Sequence, residues 1–193
     1  TFDHSFHGRT LATLSATAQE KVQIGFDPLM PGFKYAPFND CDAIRAAVDD
    51  TVCAIMVEPV QGEGGVLPAT QAFMNTLESL RKEKGLLLLF DEVQTGLGRT
   101  GKNFGYEHYG IIPDAMSLGK ALSGGLASGA VVASKEISDV MTPGSHGSTM
   151  GGNPMAAAAR RITHMGTAKL DRWPVATRAS AMMPIVFCAS LEP

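Results

Sequence analysis

The chain has 193 residues, a formal net charge of −3 and 45% hydrophobic residues, with 21 glycines. That length supports one moderate domain with a real core, and the charge leaves no basic footprint for nucleic acid. No apolar run reaches membrane-spanning length and no signal peptide opens the chain. Cys41, Cys53 and Cys188 have no metal-ligand or redox spacing, so reduced thiols in a cytoplasmic protein without a metal site are expected.

Thr1-Phe2-Asp3 reads as an opening strand. In Ser5-Phe6-His7-Gly8-Arg9-Thr10, Gly8 permits a sharp turn and Thr10 caps a short helix through Ala16. Residues 17–37 are loop-rich, with Pro28, Pro31, Gly32 and Pro37 as punctuation and a short strand at 33–36. Residues 40–49 read as a helix with Ala43, Ile44, Ala47 and Val48 on one face, capped by Asn39 or Asp40. A buried strand, 52–57, ends in Glu58-Pro59-Val60-Gln61-Gly62-Glu63-Gly64-Gly65, which puts two acids on a glycine-rich loop. Residues 70–83 form an amphipathic helix whose basic residues, Arg81, Lys82 and Lys84, gather near the C-terminus, with Gly85 as its cap.

Leu86 to Phe90 is a continuous apolar run that fits a strand buried on both faces. Leucines alone leave a buried helix open; Gly85 and the abrupt polar turn at Asp91-Glu92-Val93-Gln94 favour the strand. A loop, 95–101, follows. Residues 114–118 form a short strand-like piece that runs at once into Gly119-Lys120, and 130–133 make a further strand before a short helix at 134–140. Strand–helix–strand units imply an α/β fold, a mostly parallel sheet with helices on both faces.

An acid at the end of a buried strand lies at the rim where open α/β sheets hold ligands. Lys120 comes to the same rim. A carboxylate and a lysine at neighbouring strand ends suit a Schiff-base cofactor site. In pyridoxal 5'-phosphate (PLP) chemistry the lysine holds the cofactor, and an aspartate keeps the pyridine nitrogen protonated. For an isolated pair, a strand-capping Asp91 and a solvated Lys120 would be the commoner outcome. Residues 144–149 are small and hydroxyl-rich. Backbone amides there can approach an anion and a hydroxyl can donate to a phosphate oxygen; the alternative is a plain flexible loop.

Five segments occur together and in order: SFHGRT (5–10), EPVQGEGG (58–65), FDEVQTGLGRTG (90–101), SLGKALSGG (117–125) and GSHGSTMGGNP (144–154). In combination they resemble the class III (ω-amino acid) aminotransferases of PLP fold type I. Within that class they are most similar to the acetylornithine aminotransferases, over Thr1 to about Ala159.

The resemblance implies roles residue by residue. Phe6 stacks on the pyridine ring, where an aromatic face fixes the cofactor plane. His7 lines the pocket. Arg9 binds the substrate carboxylate with its planar fork. Glu63 faces the active site, where it can pair with an arginine of the C-terminal domain. Asp91 serves the ring nitrogen, Glu92 belongs to the cofactor-binding set, Val93 packs on the ring face opposite Phe6, and Gln94 bonds the phenolic oxygen. Lys120 is the Schiff-base lysine. Ser148 lies beside the substrate and Thr149 reaches the cofactor phosphate of the other subunit, which implies a homodimer.

The implied reaction is transamination between N-acetylornithine and 2-oxoglutarate, in arginine biosynthesis. Alternatives are another ω-amino acid donor (ornithine, succinylornithine or 4-aminobutyrate) or a truncated, non-catalytic remnant. Residues 1–159 are expected to form a partial PLP-binding large domain, without the family's N-terminal phosphate turn or its C-terminal small domain. From Arg160 the resemblance ends, and 160–193 is expected to be an aberrant tail.

Overall fold

A computed structural model describes residues 1–164, apart from His146 and Met150, with backbone only for 160–164. Two compact units divide the chain: Thr1–Asp91 with Gly105–Ile111, and Glu92–Phe104 with Ile112 onward.

In the first unit, α1 (Leu11–Ala16) follows the Ser5–Thr10 segment, and α2 (Glu20–Gln23) is a single turn. Thr10 and Thr13 cap α1 reciprocally, the Thr10 N–H donating to Thr13 Oγ1 at 3.0 Å. The expected strand at Thr1–Asp3 is reduced to isolated parallel bridges, Phe2 with Ala36 and Asp3 with Ala18. Each bridge meets one residue of an irregular segment, so no ladder propagates. Helix α3 (Cys41–Ala47) starts at Asp40, whose side chain accepts from the Asp42 and Ala43 N–H groups.

Strand β1 (Ala54–Val57) leads into a hairpin of β2 (Val60–Gln61) and β3 (Leu67–Pro68). Helix α4 (Gln71–Lys84) returns the chain to β4 (Leu87–Asp91), which pairs with β1 in parallel. A parallel pair needs a crossover of this length. Thr70 caps α4 by accepting the Phe73 N–H at 3.2 Å, and Gly85 ends it in the left-handed conformation at φ 67°, which glycine adopts without Cβ strain. Phe73, Met74, Leu77 and Leu80 are the buried stripe of α4. Phe2, Phe38 and Phe73 meet edge to face, with ring centroids 5.0–6.0 Å apart.

Burial along β4 corrects one expectation. Leu88, Phe90 and Asp91 are buried, but Leu89 is half-buried and Leu87 is 41% exposed. Successive side chains of a strand point to opposite faces, and within the described residues the two faces of this run are unequally covered.

In the second unit, β5 (Ala115–Leu118) pairs with β6 (Ala130–Ala133) antiparallel. Lys120–Ser123 forms a 3₁₀ turn directly after β5. Helix α5 (Lys135–Val140) is capped by Ser134, and α6 (Pro154–His164) carries the chain past Arg160. Of the expected tail, 160–193, residues 165–193 lie outside the described residues. Among the described residues no helix is long and apolar enough to cross a membrane.

Candidate active site

The first unit holds the acid. Asp91 is the last residue of β4, so the apolar run that buries the strand delivers a carboxylate at its end. It is 5% exposed. Asp91 Oδ2 lies 2.8 Å from His7 Nδ1. An ionised carboxylate only accepts, so Nδ1 is the donor in that pair. The His7 side chain has no exposed surface. Its backbone is fixed as well: the His7 N–H donates to Thr17 Oγ1 at 2.8 Å, and that hydroxyl donates to Thr13 O at 2.9 Å. Among the described residues, His7 Nε2 is buried without a hydrogen-bond partner.

Glu58 stands at the end of β1 as Asp91 does at the end of β4, and it is 6% exposed. Its Oε2 accepts the Phe6 N–H at 3.0 Å, tying the Ser5–Thr10 segment to the β1 end. Burial pushes the Glu58 carboxyl up; the Phe6 N–H and the charge of His7 pull it partly back, and the charge of Asp91 adds to the rise. Phe6 is half-buried, whereas Arg9 and Glu63 are exposed, Glu63 in the turn between β2 and β3.

The second unit holds the amine. Lys120 is exposed and donates from Nζ to Gln94 Oε1. Its φ is +40°, in the left-handed region. A non-glycine residue there costs about 1–2 kcal/mol, and the strain falls on the residue that carries the amine. Gly119, just before it, allows a close approach: a Cβ at that position would lie 3.2 Å from Val93 Cγ1. Glu92 is turned inward, 1% exposed, where Thr95 Oγ1 donates to its Oε2 and its own N–H donates to Ser117 O at 3.0 Å. Ser148 and Thr149 are exposed, and Ser148 Oγ accepts the Gly151 N–H at 3.0 Å. His146 and Met150 of the same motif lie outside the described residues.

Within the first unit the structure thus joins His7, Asp91 and Glu58; within the second it joins Lys120 with Gln94, and Val93 with Gly119. Sequence reasoning gave His7 a lining role and Glu58 none. The signal for Glu58 was present, since an acid closing an apolar run is the same pattern that singled out Asp91.

Residues 1–173 match the family described as aminotransferase class III. The chain belongs to that family. It is 58% identical over 158 residues to acetylornithine aminotransferase of Myxococcus xanthus, covering 82% of this chain and 39% of the relative. It is 52% identical over 157 residues to succinylornithine transaminase of Salmonella paratyphi A, covering 81% and 38% respectively. Ornithine aminotransferase of Toxoplasma gondii, in a crystal structure with partial occupancy of PLP at its active site, superposes with a TM-score of 0.80 at 35% identity. That match covers 88% of this chain and 40% of the Toxoplasma chain. The fold is therefore that of the PLP transaminases. The chain spans about two fifths of the length of the curated relatives it matches.

Proposed function

We propose that this class III aminotransferase chain carries the catalytic core for PLP-dependent transamination, with N-acetylornithine as amino donor and 2-oxoglutarate as acceptor. The observation that carries the reading is the pair of functional strand ends: a buried acid held by His7 after β4, and a strained, exposed lysine after β5. The donor set fits the cofactor. Asp91 offers an anionic acceptor suited to a protonated ring nitrogen, Phe6 an aromatic face, and Lys120 a primary amine for covalent attachment.

When bound, PLP supplies an electron sink for the charge left at the substrate carbon as its proton departs. Lys120 Nζ would anchor the cofactor and would hold and move that proton as general base and general acid. Asp91 holds the ring nitrogen in its protonated form. Val93 and Phe6 would hold the ring, Gln94 would offer it a polar contact, and Glu92 would support the same turn. Arg9 binds the substrate carboxylate, while Glu63 and Ser148 line the substrate side. Thr149 serves the phosphate of the other subunit in a homodimer, which we place in the cytoplasm.

The test is borohydride treatment of the PLP-loaded chain with peptide mapping. Attachment at Lys120, absent in Lys120→Ala, is expected; attachment elsewhere, or unchanged in that variant, refutes the assignment. A second donor, succinylornithine, is favoured by the 52% identity to the Salmonella transaminase. Comparing turnover with the two acylated ornithines separates them.

A further inference from the structure

Glu58 has no part in the chemistry above, yet it is built into the same corner of the first unit. Its buried carboxyl accepts two backbone N–H groups, from Phe6 at 3.0 Å and from Gly62. The residue after Phe6 is His7, whose enclosed imidazole bonds Asp91 at 2.8 Å through Nδ1 and leaves Nε2 without a partner. The ionisable groups that act on Glu58 are His7 and Asp91. The like charge of Asp91 disfavours the charged form of Glu58 and the charge of His7 favours it. Glu58 is thus coupled to the acid of the site without touching it.

We propose that Glu58 is a positioning residue that acts through His7: its carboxyl ties down the Ser5–Thr10 segment and governs how strongly the imidazole donates to Asp91. The proposal rests on the reading of Asp91 as the acid that serves the cofactor. When Glu58 is ionised, its negative charge favours positive character on the imidazole and a stronger hydrogen bond to Asp91. When Glu58 is neutral, that bond weakens. The charge state of a group that holds the Phe6 N–H thereby tunes the acid at the strand end.

Glu58→Gln keeps one carbonyl oxygen to accept a backbone N–H, as from Phe6, and removes the ionisable charge. The experiment follows the absorbance of bound PLP against pH for the full chain, as wild type, E58Q, H7F and E58Q/H7F. E58Q is expected to move the spectral midpoint by about half a pH unit or more, and to move it no further once His7 is gone. No shift, or an equal shift with and without His7, overturns the proposal. A measurement without cofactor accompanies it: the imidazole ¹⁵N–¹H spectrum of the apo chain. E58Q is expected to displace the His7 Nδ1–H resonance, and an unmoved resonance overturns the coupling even where PLP binds. A displaced resonance in a chain that fails to attach PLP at Lys120 upholds the coupling and sinks the aminotransferase reading alone.

Discussion

Removing the Asp91 carboxylate probes the pair at the end of β4 without any cofactor present. The His7 side chain has no exposed surface and that of Asp91 is 6% exposed, with 2.8 Å between Nδ1 and Oδ2. Since His7 Nε2 already lacks a partner, Asp91→Ala strands the imidazole with both nitrogens unpaired. A hydrogen bond to a charged group contributes about 1.5–3 kcal/mol, and the small void left by a carboxyl adds under about 1 kcal/mol. The expected loss is about 2–3 kcal/mol. Asp91→Asn presents an amide oxygen to the same N–H and loses only the charge assistance, so its cost is about 1 kcal/mol. Adding His7→Phe to Asp91→Ala removes the stranded group and should recover about 1 kcal/mol, a coupling that non-interacting sites do not show. Urea unfolding of the apo chain, followed by far-UV circular dichroism, measures these three variants and His7→Phe alone against wild type. Asp91→Ala within about 0.5 kcal/mol of wild type, the ordinary range for an uninvolved site, would refute the reasoning, as would equal losses for Ala and Asn.

Phe73→Ala should cost about 4–5 kcal/mol by the same assay, because the side chain is fully buried and its ring meets Phe2 at 5.0 Å and Phe38 at 5.4 Å; a loss under about 2 kcal/mol contradicts the packing. Gly119→Ala sets a Cβ 3.2 Å from Val93 Cγ1. Val93 must then yield, at about 1 kcal/mol, and PLP affinity should fall several-fold in a fluorescence titration; unchanged affinity would remove Val93 from the cofactor face. For Glu58 the sign follows from burial. The folded chain holds its proton more tightly than the ordinary carboxyl value of 4.5, so the stability it contributes is full below that value and lost as pH rises through the folded one. Glu58→Gln should therefore gain in Tm on wild type as pH rises from about 4 to 8, and parallel curves would contradict the burial argument.

How much of this was legible in the sequence depends on how far apart the interacting residues stand. Thr70 and Gly85 bracket an amphipathic period, and the expected helix at 70–83 is found at Gln71–Lys84. Asp40 is the N-cap that its position before an apolar face implies. All of those signals lie within one turn of the elements they control. The opening Thr1–Asp3 segment fails as a strand because its partners, Ala36 and Ala18, sit singly in loops. The β2–β3 hairpin pairs only two residues on each side, too few for an alternation that the glycine-rich stretch could display. An apolar run also carries no sign of direction, so the antiparallel pairing of β5 with β6 was hidden within an expectation of parallel units.

The candidate site divides along the same line. Strand-end position is local, and it singled out Asp91 and Lys120. Pairing is not local: His7 and Asp91 are 84 residues apart, and Phe6 and Glu58 are 52 apart. The pattern of an acid after an apolar run occurs twice, at Glu58 and at Asp91, and it cannot say which acid faces a ligand and which steadies the other through an imidazole. The proposed assignment rests on which donors the fold brings to each carboxyl. Glu58 receives the backbone N–H groups of Phe6 and Gly62, which hold a segment in place. Asp91 receives a side-chain imidazole, a donor whose strength can change with its own charge. A carboxyl held by backbone amides suits an anchor that steadies a segment; one held by an imidazole suits a carboxylate kept in place for a cationic partner.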